Sequence, residues 1–317
     1  MNFRRGLCVG LACAFLLFSV VSRAAQPTDA PAAAPVIAQK TFATAEAAAE
    51  ALISAAERFD IPALKEILGT DGVDLVVTED PVHDKNKATA FAALARKQTR
   101  VIRDSTDSKV ASLIIGPEDW PVPLPIVAQD GRWRFDTAAG REEILYRNIG
   151  ENELNAIEMC RAYVEAQHEY ASEKRDGARI NQYAQRIIST PGKRDGLAWR
   201  AADGTWAGSM GEGVAQAIAE GYTDRTRPYN GYYFKVLKKQ GSAAPLGEMD
   251  FVVQDMMIGG FAFVAAPADY AVTGVKSFIV NQDGVVYEQD LGPETVELFY
   301  AMDRYNPNST WSPVQEP

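Results

Sequence analysis

From Glu151 to Ser172 two apolar stripes run side by side at helical spacing: Ala156, Met159, Tyr163, Ala166 and Tyr170 beside Leu154, Ile157, Cys160 and Val164. A helix apolar over so wide a face needs a flat partner, which means a sheet. Candidate strands follow it at 231–237, 251–253, 257–265 and 275–280, the last turning at Gln282-Asp283-Gly284 into 285–287. A long helix followed by an antiparallel meander is an α+β order rather than a βαβ one.

The preceding hundred residues predict a second, smaller α+β unit. Thr44 caps a helix with Ala48, Leu52 and Ala56 on one face, and Asp60 caps another with Pro62 in its first turn and Gly69 as its stop. Asp80-Pro81 opens a third, carrying Ala88, Phe91, Leu94 and Ala95. Residues 109–115 alternate as a strand, and Asp130-Gly131 turns a hairpin from 122–127 into Trp133-Arg134-Phe135. Pro121, Pro123 and Pro125 place the first hairpin arm at a sheet edge, because proline cannot donate to a ladder. Helices followed by a curved hairpin predict a cone-like unit over 39–147, and the helix-on-sheet unit fills 148–317.

The amino terminus reads as an export signal over 1–24. Arg4 and Arg5 precede an apolar run, Leu7 to Val21, that ends in small residues around Ala24 and Ala25. A run of about 15 residues is shorter than the ~20 that span a bilayer. The expected product is periplasmic or secreted, with no transmembrane anchor after cleavage; an uncleaved terminus, or one acylated at Cys13, would keep it membrane-associated. Residues 25–38, with Pro27, Pro31 and Pro35, read as a flexible linker.

Export removes ATP- and nicotinamide-dependent chemistry from consideration. Cys8 and Cys13 leave with the signal, so Cys160 has no partner for an internal disulfide and stability must come from core burial. With the three arginines of the signal set aside, 29 basic against 42 acidic residues leave a net charge of −13. Such a surface repels nucleic acid.

Few residues suggest catalysis. His83 and His168 are the only histidines, and each reads as a solvated helix-end side chain. Cys160 reads as a small buried hydrophobe. No His or Cys pair has zinc-ligand spacing, so no cofactor is expected except, at most, a calcium ion on Asn281, Asp283 and Asp290. Glu142, Glu143 and Asp269 could supply a pair of carboxylates for glycoside hydrolysis. The tetrapeptide Lys-Arg-Asp-Gly occurs at 174–177 and again at 193–196, each time as a polar turn. The one cluster with binding character is aromatic: Trp199, Trp206, Tyr222, Tyr229, Tyr232 and Tyr233, which could line a groove for sugar or peptide or cover the core beneath a long loop.

Several stretches resemble the exported bacterial family DUF2950: QKTFATAEAAAEALISAA from Gln39, GRWRFDTAAGREEIL from Gly131, STPGKRDGL from Ser189, PYNGYYF from Pro228, MIGGF from Met257 and FIVNQDGVVYEQDL from Phe278. That resemblance implies boundaries but no activity. The run NELNAIEMCRAYVEAQHEYAS from Asn152, with the later Gly-Tyr-Tyr-Phe strand and Asn-Gln-Asp-Gly hairpin, is similar to globular heads of type IV pilins and pseudopilins, without their prepilin cleavage motif or apolar stalk. The amino-terminal half resembles cone-shaped folds of the nuclear transport factor 2 type. These features lead to the expectation of a non-catalytic exported cell-envelope binding or assembly protein, whose partner is an envelope protein or polymer. The alternatives are a carboxylate hydrolase of envelope polymers and a calcium-stabilised adhesion module.

Overall fold

Each cap read from the sequence starts a helix. The Thr44 hydroxyl accepts the Ala47 N–H at 3.1 Å and opens α1, Ala45–Arg58; Asp60 does the same for α2, Ile61–Leu68, and Asp80 for α3, Pro81–Lys97. The computed structural model describes residues 39–70, 72–78, 80–211 and 228–315. The expected signal segment, the linker and Tyr222 lie outside these residues.

Five strands back the three helices: β1 (Thr99–Arg103), β2 (Val110–Ile115), β3 (Trp120–Pro121), β4 (Ile126–Gln129) and β5 (Arg132–Phe135). The order is β1-β2-β4-β5, all antiparallel, with β3 also on β2. The later part of the proline arm, β4, is therefore interior between β2 and β5, whereas Pro121 lies on β3, which pairs with β2 alone among the described strands, an edge as expected. Pro123 and Pro125 fall in the break between β3 and β4, where no ladder bond is required of them, while the Val122 N–H still reaches the Leu113 carbonyl at 2.8 Å. Ala48, Leu52 and Ile53 of α1 and Leu64 and Ile67 of α2 pack with Leu113, Ile126 and Phe135 into one buried core.

The long helix is longer than its apolar stripes indicated. α4 runs from Thr137 to Ala171, 35 residues, and starts at an Asp136 cap instead of at Glu151. Its first turns carry polar anchors: Arg141 on Asp74 at 2.8 Å and Arg147 on Glu143 at 2.7 Å. Gly140 passes so close to Leu124 that a Cβ there would lie 2.4 Å from its methyl group. The expected division at residue 147 thus falls inside a continuous helix that leaves the first core and enters a second.

In the second core the stripes, apart from Leu154, which is 64% exposed, face a sheet of order β16-β15-β14-β13-β8, formed by β8 (Tyr232–Leu237), β13 (Ala262–Pro267), β14 (Lys276–Asn281), β15 (Tyr287–Asp290) and β16 (Ser312–Pro313). Tyr163 of α4 stacks on Phe263 at 4.0 Å and meets Phe261 edge-on at 5.7 Å. Between β5 and β13 the described residues also form three ribbons: β6 (Ala198–Arg200) with β7 (Trp206–Gly208), β9 (Lys239–Gln240) with β10 (Met249–Asp250), and β11 (Val252–Val253) with β12 (Met256–Met257). The strand expected over 257–265 is split at Gly259-Gly260 between β12 and β13.

A helix absent from the sequence reading, α5 (Thr295–Ala301), covers the other sheet face. Lys235 of β8 reaches across to donate to the carbonyls of Phe299 and Tyr300 in its last turn, where a cation complements the helix terminus. With helices on both faces, every residue of β13 is buried. No helix among the described residues is long and apolar enough to cross a membrane.

Candidate functional site

The two Lys-Arg-Asp-Gly turns meet in space. α4 ends at Ala171, and the chain reverses through Asp176 and Gly177, both at positive φ (50° and 74°). The second turn, around Gly192 at φ 79°, is closed by Asp195, which accepts the Thr190 N–H at 2.7 Å and its hydroxyl at 2.8 Å. Burial works against the Asp195 charge, but these bonds and Arg186 hold its carboxyl below the usual range. The turns are joined directly, since the Asp176 carboxylate accepts the Arg194 N–H at 2.5 Å and the Tyr170 hydroxyl donates to the Arg194 carbonyl at 2.5 Å.

Trp199 of β6 lies where the turns converge. The Arg175 guanidinium sits 5.0 Å from its ring centroid and 4.8 Å from that of Tyr170, and Arg194 lies 5.6 Å from the Trp199 ring. Next to it, Arg200 lies 4.3 Å from the ring of Trp206, its cross-strand partner on β7. The Arg175 side chain is only 12% exposed and donates to the Tyr170 carbonyl at 3.3 Å, so its position is fixed by its surroundings. Between residues 172 and 200 seven Lys or Arg stand against three acids, a net of +4 in a chain whose total is −10. Guanidinium groups held on indole rings present planar, permanently charged donors suited to carboxylate, sulfate or phosphate groups.

The ribbon that carries both tryptophans depends on Gly208. Its φ is 126°, and a Cβ would lie 2.2 Å from the Leu197 carbonyl oxygen. Gly208→Ala is expected to cost about 2–3 kcal/mol through backbone strain and to change the near-ultraviolet tryptophan dichroism. A thermal melt and a dichroism spectrum unchanged from the parent would contradict this.

The aromatic set named from the sequence does not assemble into one groove. Tyr232 and Tyr233 are adjacent on β8 and so point to opposite sheet faces. Tyr232 donates to the Lys276 carbonyl at 2.8 Å beneath α4, and Tyr233 packs 6.3 Å from Phe299 of α5. Tyr229 is half-buried and bridges to Tyr232 through the backbone. Trp199 and Trp206 share the β6–β7 ribbon but lie on its opposite faces, Trp199 opposite Ala207 and Trp206 opposite Arg200. What the sequence reading missed is the pair Arg175 and Arg194, and the repeated tetrapeptide was the signal for it.

The calcium candidates separate as well. Asn281 and Asp283 close on each other in an Asx turn, at 3.1 and 3.2 Å. Asp290 pairs with Lys276 across the hairpin, five residues or roughly 17 Å along β14 from Asn281, and accepts from Gly292 and Tyr270. No group of three His, Cys, Asp or Glu residues able to hold a metal ion occurs among the described residues.

Of the carboxylates, Glu142 and Glu143 line a cleft of about 400 Å³ against Pro121, Pro123 and Pro125, with Glu143 committed to Arg147, while Asp269 heads a turn closed by Thr273 in the other half of the molecule. Among the described residues neither histidine shares a hydrogen bond with a serine, threonine or cysteine. His168 packs edge-on against Phe261 at 5.5 Å, and His83 is an exposed residue of the first turn of α3. Cys160 is wholly buried, and that burial pushes its thiol up to about 12, which removes it as a nucleophile at neutral pH.

In comparison with known proteins, residues 39–314 match a family model described as a protein of unknown function (DUF2950). No curated protein and no solved structure matches.

Proposed function

The chain belongs to the DUF2950 family, and since that membership carries no activity, we propose from the site itself that the protein is a non-catalytic, exported cell-envelope binding protein whose ligand is an anionic envelope polymer. Its working location is the periplasm or the outer surface, reached through the amino-terminal signal. The observation that carries this proposal is the placement of Arg175 and Arg194 against Trp199. Fixed guanidinium groups on aromatic rings, within a basic segment of an acidic protein, suit a ligand with repeated negative charge. The finer architecture belongs to the same proposal: a cone-like first unit, and a pilin-like second unit supported by the lie of α4 along β13 and β14.

The test is sedimentation of the purified protein with dextran sulfate and with neutral dextran of matched length. Binding to the anionic polymer alone, weakening as salt rises, is expected. The double reversal Arg194→Glu with Arg200→Glu, both at exposed positions, should lower the affinity at least tenfold with an unchanged circular dichroism spectrum. Equal binding of the two polymers, or a variant that binds like the parent, rejects the proposal.

A further inference from the structure

A second recess lies on the far side of the carboxy-terminal sheet, away from the basic turns. It has a volume of about 220 Å³ and is floored by Ile279 of β14, which is 1% exposed; its walls are Trp311, the Asp303–Arg304 pair, Asn306 and Asn308. The volume is below the ~300 Å³ at which drug-sized pockets begin, so the recess takes a single ring. The two charges in its lining cancel, Arg304 being held by Asp303 at 3.0 Å, while Glu248, outside the lining, also holds Arg304. A neutral ligand is favoured, in contrast to the cationic face at Trp199.

The polar groups are already oriented. The Asn306 Oδ1 accepts the Ala243 N–H at 2.9 Å, and the Asn308 Oδ1 accepts the Thr310 N–H at 3.0 Å and its hydroxyl at 2.6 Å. Each fixed amide keeps its NH₂ group, which has no acceptor among the described residues, and the Asp303 carboxylate adds acceptors. The same turn positions the Trp311 backbone, whose amide N–H donates to the Asn308 carbonyl at 3.0 Å. An apolar ring face beside preset donors and acceptors of both kinds, with no net charge, matches one class of small molecule. Such a molecule has C–H groups on one face and hydroxyls around its rim.

We propose that this recess, with Trp311 as its wall and Asn306, Asn308 and Asp303 as its polar rim, binds one neutral pyranose unit, either as a free sugar or as the end of a glycan. Preorganisation of the amides lowers the ordering cost that otherwise limits so small a site. The site is separate from the arginine face, and its occupancy does not depend on that proposal.

The experiment is a titration of the purified protein, followed by tryptophan fluorescence and ligand-observed NMR, with methyl glucoside, N-acetylglucosamine, glucuronate and inorganic phosphate. Saturable binding of a neutral pyranose is expected, at least tenfold tighter than binding of glucuronate or phosphate. Asn308→Asp keeps the Oδ1 that holds Thr310 but removes the amide donor, and is expected to weaken binding at least tenfold with an unchanged melting temperature. Trp311→Phe should weaken it less, and Arg194→Glu not at all. Absence of saturable binding by either neutral sugar overturns the proposal, as does preference for the anions or an Asn308→Asp protein that binds like the parent.

Discussion

Above about pH 10 the protein loses stability steeply and unfolds as a unit. Tyr163, Tyr170, Tyr232 and Tyr305 are each no more than 3% exposed, and burial raises every one of their phenol pKa values, to about 12 for Tyr170 and further for the other three. In the unfolded chain a tyrosine ionises near 10. These are groups whose folded pKa lies above the unfolded one, so their contribution is complete below about pH 10 and is lost as the pH rises toward the folded values.

Each withheld proton destabilises the fold by about 1.4 kcal/mol per pH unit, and four together by about 5. A domain stability of about 5–15 kcal/mol is then exhausted within one to three units. The Cys160 thiol adds to the effect, whereas Lys235 and Lys238, whose pKa values burial lowers, oppose it. The check is a pH titration with far-ultraviolet dichroism and phenolate absorbance recorded together. The last phenolates should appear only as the dichroism collapses; a gradual titration of all tyrosines in a protein that keeps its dichroism through about pH 12 is the result that sinks the argument.

The second large effect comes from a single amide. Gln167 is wholly buried on α4; its Nε2 donates to the Tyr163 hydroxyl at 2.7 Å and to the Ala184 carbonyl at 2.8 Å, and its Oε1 accepts the Ala184 N–H at 2.8 Å. Gln167→Leu fills the space but leaves Ala184, 1% exposed, with two unpaired backbone groups and removes the donor to the Tyr163 hydroxyl oxygen. At about 1–3 kcal/mol for each buried orphan, the expected loss is about 3–5 kcal/mol, or roughly a 10 °C fall in melting temperature.

The effect should also spread along the chain. Ala184 begins the segment whose Ile187 carbonyl accepts the Ala198 N–H at 2.9 Å, next to Trp199. Proteolysis between residues 178 and 196 should therefore accelerate in Gln167→Leu. Gln167→Glu, which keeps the acceptor for Ala184, should fall between the two. A leucine variant as stable as the parent would show that the Gln167 amide contributes little.

Local chemistry made the first half of the fold legible. Thr44, Asp60 and Asp80 mark helix starts because a side-chain oxygen satisfies an orphan N–H only a few residues away. The start of α4 was not legible, because residues 137–150 carry no apolar stripe and include Gly140 and Gly150. That stretch is held by ion pairs to distant partners such as Asp74. β1 was missed for a related reason: Thr-Arg-Val-Ile-Arg is a charged edge strand, exposed at four of its five positions.

At the candidate site, Trp199 was legible and its partners were not. Arg175 and Arg194 are nineteen residues apart, and only the closure of two turns onto one ring joins them. The separation of Tyr232 from Tyr233 was present in the two-residue period of a strand, and composition alone had obscured it.

The unbroken run of α4 has a consequence for whatever this protein joins. Thirty-five residues at 1.5 Å each make a rod on the order of 50 Å long, with the first core at its Thr137 end and the second along its later turns. Such a rod works as a gauge. The spacing between anything gripped by the amino-terminal unit and anything gripped near Trp199 is metered in helical turns, so a single residue added within 141–150 would lengthen the gauge by about 1.5 Å and rotate one grip against the other by about 100°.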